Sequence, residues 1–147
     1  LKAAARVREL ALPAHINVTS YNRVVLITGE VTREADKAAV EQAVSRVEAV
    51  RSVVNELAAM DTSTIGSRTS DGVLSSKVKA SFIDAKDLQA NSIKVVTERS
   101  TVYLMGRVTE REANRATEVA RAVSGVGKVV KVFEVISEAE LADLQRK

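Results

Sequence analysis

The sequence predicts an α+β fold made of two tandem αββαβ domains. Each domain has a three-stranded mixed sheet with two helices packed on one face. Three observations carry this. First, Ile16-Asn17-Val18 and Val25-Leu26-Ile27-Thr28-Gly29-Glu30-Val31-Thr32 return 77 residues later as Ile93-Lys94-Val95 and Val102-Tyr103-Leu104-Met105-Gly106-Arg107-Val108-Thr109. Second, each copy continues into a charged, Ala-rich run, Arg33-Glu34-Ala35-Asp36 and Arg111-Glu112-Ala113-Asn114. Third, each run closes in a valine-rich strand, Val50-Arg51-Ser52-Val53-Val54-Asn55 and Val126-Gly127-Lys128-Val129-Val130-Lys131. A period this long marks a duplicated domain rather than a solenoid unit. The expected boundaries are 1–60 for the first domain, 61–71 for a linker, 72–136 for the second domain and 137–147 for a C-terminal helix.

The elements follow in order. Residues 1–12 read as a helix with Ala4, Val7 and Ala11 on one face. Pro13 ends it, because the residue before a proline is pushed out of the α region. Residues 16–21 and 24–29 read as strands, the first alternating and the second a continuous apolar run. Asn22-Arg23 between them is short enough for a tight hairpin. Thr32 is the expected N-cap of the next helix, and Val40, Val44 and Val47 share its buried face. A strand is expected over 50–58, followed by polar, Gly- and Ser-containing sequence.

The second copy repeats the plan. A helix over 72–84 places Leu74, Val78 and Phe82 on one face, and strands follow over 93–97 and 101–107. Thr109 and Glu112 form a capping box. The helix after them turns Ala113, Ala116, Ala120 and Val123 inward, a small-sided stripe that lets the helix lie close to the sheet. Residues 126–136 read as the last strand. Ser137 and Glu140 form another capping box, opening a short helix to about Gln145. Gly29 and Gly106 each sit late in a strand before a helix, where a β-carbon is expected not to fit.

Two domains in 147 residues are each small. Aromatics are 3% and tryptophan is absent, so Val, Ile, Leu and Ala must build the cores. The apolar share of 46% is that of a globular chain. With 22 basic and 19 acidic residues the surface is mixed, with a net charge of +3. The longest apolar runs have only a few residues, so no transmembrane segment is expected. There is no cysteine, which excludes disulfides and thiolate metal sites within the chain. The first residue is Leu1 rather than Met, which reads as a trimmed or mature form.

Little catalytic equipment is visible. His15, the only histidine, reads as a solvated or capping residue between a turn and a strand. No carboxylates cluster at ligand spacing, so no metal site or cofactor is expected. Ser76-Lys77-Val78-Lys79 matches S-x-x-K, but the companion S-D-N and K-T-G elements are absent. Glu34, Glu41, Glu110 and Glu118 read as members of surface ion pairs. Basic residues are interleaved with acids, and Phe82 and Phe133 read as buried, so nucleic acid is not an expected partner. The expectation is a non-enzyme.

One surface stands out. Arg68, Val73, Leu74, Lys77 and Lys79 fall around the start of the second domain, and Val73 lies beside the Leu74-Val78-Phe82 stripe rather than on it. An exposed apolar residue flanked by cations suits an anionic membrane, where each nearby Lys or Arg contributes about 1 kcal/mol. The same residues can also be read as an ordinary helix N-terminus packing against the first domain.

The repeat unit resembles the BON domain. The family pattern is an apolar strand, Gly, a short polar step, a helix and a GV-x-x-V-x-N-x-L strand. The first copy carries it as Val25-Leu26-Ile27-Thr28-Gly29-Glu30-Val31 and Val50-Arg51-Ser52-Val53-Val54-Asn55-Glu56-Leu57, with Ala49 where the family often has Gly. The second has Gly125-Val126, with Lys131 in place of the Asn. Ile16-Asn17-Val18-Thr19-Ser20-Tyr21, Lys94-Val95-Val96-Thr97-Glu98 and the run from Tyr103 to Ala113 are similar to the strand regions of outer-membrane lipoproteins with two BON domains.

That resemblance implies a periplasm-facing protein, held in the outer membrane by an N-terminal acylated cysteine and supporting envelope integrity and division sites. It implies binding of anionic phospholipid, phosphatidylglycerol or cardiolipin, through the first helix of the second domain. The matching positions are Ser70, Asp71, Gly72, Val73, Leu74, Ser75 and Lys77, with Arg68 and Lys79 as neighbouring cations. Val73 stands where the enterobacterial relative has a membrane-inserting Trp, so lipid binding is expected either to be weaker or to rest more on Arg68, Lys77 and Lys79. Two other readings stay open: a periplasmic adaptor for an outer-membrane assembly protein, and a soluble osmotic-stress protein.

Overall fold

The computed structural model describes residues 2–12, 14–60 and 65–146, with 65–69 and 145 described by backbone alone. Pro13 and the linker positions 61–64 lie outside the described residues. The chain divides into two compact units, Leu1–Ile65 and Gly66–Lys147.

The first unit contains α1 (Lys2–Glu9), β1 (Ala14–Tyr21), β2 (Val24–Val31), α2 (Glu34–Ser45), β3 (Ser52–Asn55) and β4 (Ala58–Ala59). β2 is central, antiparallel to β1 and parallel to both β3 and β4, so the sheet is mixed. Val25, Ile27 and Val31 alternate onto one face of β2. There they meet Ala3 and Val7 from α1 and Val40 and Val44 from α2, so both helices cover the same face.

The second unit contains α3 (Ile65–Asp84), a 3₁₀ turn (Ala90–Ser92), β5 (Lys94–Glu98), β6 (Thr101–Val108), α4 (Glu110–Arg121), β7 (Lys128–Val135) and α5 (Glu138–Arg146). β6 is central, antiparallel to β5 and parallel to β7. Its face of Val102, Leu104 and Val108 packs on Leu74, Val78 and Phe82 of α3 and on the small stripe Ala113, Ala116 and Ala120 of α4. The expected α+β architecture is therefore present in both copies.

Both hairpins close in two residues at positive φ: Asn22 (49°) and Arg23 (66°), then Arg99 (47°) and Ser100 (64°). This is the primed turn that matches the strand twist. Gly29 (φ 114°) and Gly106 (φ 152°) each pass close to a backbone carbonyl at the start of the preceding strand or just before it. A β-carbon would lie 2.0 Å from the His15 carbonyl oxygen at the first, and 2.3 Å from that of Ser92 at the second.

The two copies depart from strict repetition at several points. The central strands are offset by 77 residues but the following helices, α2 and α4, by 76, because the first copy carries one extra residue, Arg33, before its helix. Thr109 caps α4 as expected: its Oγ1 accepts from the Glu112 amide at 3.2 Å, and the Glu112 carboxylate accepts from the Thr109 amide at 3.0 Å. Thr32 does not cap α2. Arg33 takes that position and has no acceptor to offer, so its guanidinium pairs with Asp36 at 3.0 Å instead. The strand expected over 50–58 is split. Asn55 donates to the Lys37 carbonyl of α2 at 3.0 Å and accepts from the Leu57 amide at 3.2 Å, turning the backbone between β3 and β4. The equivalent residue is Lys131, which has no acceptor, and β7 runs through it unbroken. Finally, α3 starts at Ile65, seven residues before the expected Gly72.

Ala49 has a φ of 73°, at the position where the second copy has Gly125 with 99°. An L-residue other than glycine is strained there by about 1 kcal/mol. Ala49→Gly is therefore expected to stabilise the chain by about 1 kcal/mol in urea denaturation. Gly29→Ala, which drives a methyl into a backbone carbonyl, is expected to cost roughly 3 kcal/mol or more. Thr109→Ala is expected to cost about 1 kcal/mol by removing a helix cap.

Candidate functional site

Helical geometry sorts the expected site residues on α3 into two groups. Asp71, Leu74, Val78 and Phe82 point inward. Asp71 is buried, and its carboxylate accepts from the Arg99 amide at 2.8 Å and the Ser100 amide at 3.1 Å. It thereby holds the β5–β6 turn, whose two central residues are non-glycine residues at positive φ. Asp71 is a fold residue rather than a surface ligand. Leu74 is likewise a core residue, 6% exposed. Ser75 is half-buried, its hydroxyl 2.7 Å from that of Thr97.

Ser70, Gly72, Val73, Ser76, Lys77 and Lys79 are exposed. The side chain of Arg68 falls outside the described residues. Val73 is 57% exposed, as its place beside the buried stripe implied. Ile83, which the sequence reading passed over, is 71% exposed. Its signal was the same: Val73 precedes Leu74, the first residue of the buried stripe, and Ile83 follows Phe82, the last. At 100° per residue Val73, Ser76, Ala80 and Ile83 fall within one outward stripe, with Lys77 on one flank and Lys79 on the other. The apolar ends of that stripe are roughly 15 Å apart. Lys77 reaches across to the Ser124 carbonyl, 3.2 Å from its Nζ, which leaves two of its three donors for another acceptor.

The catalytic-looking features resolve differently. The Ser76 hydroxyl donates to the Gly72 carbonyl at 3.2 Å, so its proton is directed at its own helix rather than at Lys79. His15 lies within β1, half-buried and opposite Glu30, rather than ahead of the strand. Glu34 pairs with Lys37 at 3.1 Å and Glu118 with Arg115 at 3.7 Å, as surface ion pairs. Phe82 is in the core, and Phe133 is half-buried against it.

A two-layer αββαβ unit, present twice, is the architecture of a small repeated α+β module. Residues 2–60 and 70–137 both match the BON domain, and the chain belongs to the BON-domain family. It is 33% identical over 129 residues to "Outer membrane lipoprotein DolP" of Haemophilus influenzae, across 87% of this chain and 66% of that protein. It is 30% identical over 128 residues to the "21 kDa hemolysin" of Actinobacillus pleuropneumoniae, with the same coverage. The chain thus spans about two thirds of the length of these relatives. Among solved structures it is similar to CdsD, a structural protein of the type III secretion system of Chlamydia trachomatis. That likeness covers 99% of this chain and 96% of the other, at 11% identity and a TM-score of 0.40. No described helix is long and apolar enough to cross a membrane.

The division between fold and surface residues on α3 is directly measurable. Asp71→Ala removes the acceptor of two backbone amides and is expected to cost about 2–3 kcal/mol in urea denaturation. Val73→Asp and Ile83→Asp, on the solvent side, are expected to stay within about 0.5 kcal/mol of the parent chain.

Proposed function

We propose that this chain is a non-enzymatic, periplasm-facing component of the outer membrane that binds anionic phospholipid through α3 of its second domain. The observation that carries the reading is the outward stripe of α3. Val73 and Ile83 are both more than half exposed, and Lys77 and Lys79 flank them. Apolar side chains between cations are what a helix lying in an anionic headgroup layer requires. The lipoprotein relative supports an outer-membrane location, and a role in envelope integrity and at division sites follows from the same resemblance. Phosphatidylglycerol and cardiolipin are the lipids of matching charge. The first domain acts as scaffold or as a partner-binding face.

Flotation with neutral vesicles, and with vesicles containing phosphatidylglycerol or cardiolipin, tests this. The expected result is binding to anionic vesicles only, weakened as salt rises because exposed charges are screened. Val73→Asp and Lys77→Glu should each reduce the floated fraction several-fold. Equal binding to neutral and anionic vesicles, or none to either, would overturn the reading. The second result would favour an adaptor for an outer-membrane assembly protein.

A further inference from the structure

An open groove of about 680 Å³ runs between α3 and α4 of the second domain. Ala80, Val119, Ala122 and Val123 line its middle. Lys77 stands at one end, tied to the Ser124 carbonyl where α4 finishes. Asp84 lines α3 two turns further on, and Glu118 lines α4 before Ala122. Arg115 lines that far end too, 3.7 Å from Glu118, so charges of both signs meet there, while Lys77 stands as the cation at the near end.

The chain carries its own control. α1 ends at Glu9 and α3 at Asp84, with buried Val7 and Phe82 each two residues before the end, so the helices superpose with an offset of 75. α2 and α4 superpose with an offset of 76. The groove at the same place in the first domain holds only about 320 Å³ and is lined by Arg6, Arg46 and Glu48. By these offsets the second domain has Ser81, Ala122 and Ser124 there. Three charged side chains in one copy are three small ones in the other, on the same backbone frame. The emptied groove also belongs to the helix whose outer stripe carries Val73 and Ile83.

We propose that this groove seats one acyl chain of an anionic phospholipid, with the phosphate against the Lys77 ammonium. This rests on the lipid reading above and adds a stoichiometric pocket to it. From Lys77 to Asp84 the groove follows roughly 10 Å of helix, enough for part of one chain. The small residues supply apolar contact along it, and the free donors of Lys77 meet the phosphate.

The test uses the full chain with labelled methyl groups and lauroyl-lysophosphatidylglycerol, held below its micelle-forming concentration. Glycerol 3-phosphate serves as the head group alone. Saturable shifts are expected at the methyls of Ala80, Val119, Ala122 and Val123 with the lysolipid, and none there with glycerol 3-phosphate. The double variant A122R/S124E restores two of the first domain's three charged side chains. Ala122 and Arg46 both cap their helices in the same αR conformation, so the variant keeps the fold. It is expected to bind the lysolipid at least tenfold more weakly while still floating on anionic vesicles through Val73. Unchanged lysolipid affinity in the variant would overturn the proposal. So would equal shifts from glycerol 3-phosphate, or shifts confined to Val73 and Ile83. If the parent chain floats on anionic vesicles but its groove methyls stay silent, the groove proposal alone falls. If it floats on none, the lipid reading falls with it.

Discussion

Each domain hangs on a backbone contact that admits no side chain. At Gly29 the central strand passes so near the carbonyl oxygen of His15 that even a methyl group is excluded, and Gly106 repeats this against Ser92. The contact draws the start of each hairpin onto its central strand. That strand then carries an antiparallel neighbour on one side and a parallel one on the other. Parallel pairing requires a crossover, and the crossover helix covers the sheet face that the first helix also covers. The arrangement has little room for variation, which is why a glycine pair survives when most of the residues around it differ between the copies.

Much of this was legible in the sequence because it depends on local chemistry. The repeat, the Asn22-Arg23 hairpin, the Thr109–Glu112 box and the inner stripes of α3 and α4 all follow from spacing and side-chain type. The misses have physical causes. Thr32 looks like a cap, but Arg33 intervenes and moves the helix start by one residue, a shift that a 77-residue offset conceals. The first turns of α3 contain Gly66, Ser67, Thr69, Ser70 and Gly72, poor helix formers that read as linker. One tertiary contact on these turns, Asp71 on the β5–β6 turn, could not be seen from local sequence. The same contact explains why Asp71, placed by resemblance on a binding surface, belongs to the fold. Leu74 was named on both the core stripe and the surface, and only its burial decides between them. The α3–α4 groove needs two helices at once and left no trace in either.

The duplication has been put to unequal use. The two copies share topology, turn type and core plan, so their differences are concentrated where the shared fold leaves freedom. Arg8 of α1 corresponds to the exposed Ile83 of α3, and Arg6, Arg46 and Glu48 correspond to Ser81, Ala122 and Ser124. These substitutions move in one direction, from charged to apolar or small, and they lie on the outer side of one helix pair. Core packing does not demand them, since the first copy folds with the charged set.

On the lipid reading proposed above, the strength of such a surface's contact follows from a few magnitudes. Fully burying a Val or Ile side chain contributes about 1.5–3 kcal/mol, and these two are only partly exposed, so together they supply about 2–4 kcal/mol. Lys77 and Lys79 near an anionic surface add about 1 kcal/mol each. The sum of about 4–6 kcal/mol corresponds to a dissociation constant between about 1 mM and tens of µM. An aromatic anchor in place of Val73 would raise it, because an indole buries more area and places an N–H at the interface. With valine, no single residue dominates, and the cations are a third or more of the total. Binding of this strength is reversible and falls away when surface charge is lost. On the proposed lipid reading, it suits a domain that responds to which lipids lie beneath it better than one whose task is to hold the chain to the bilayer.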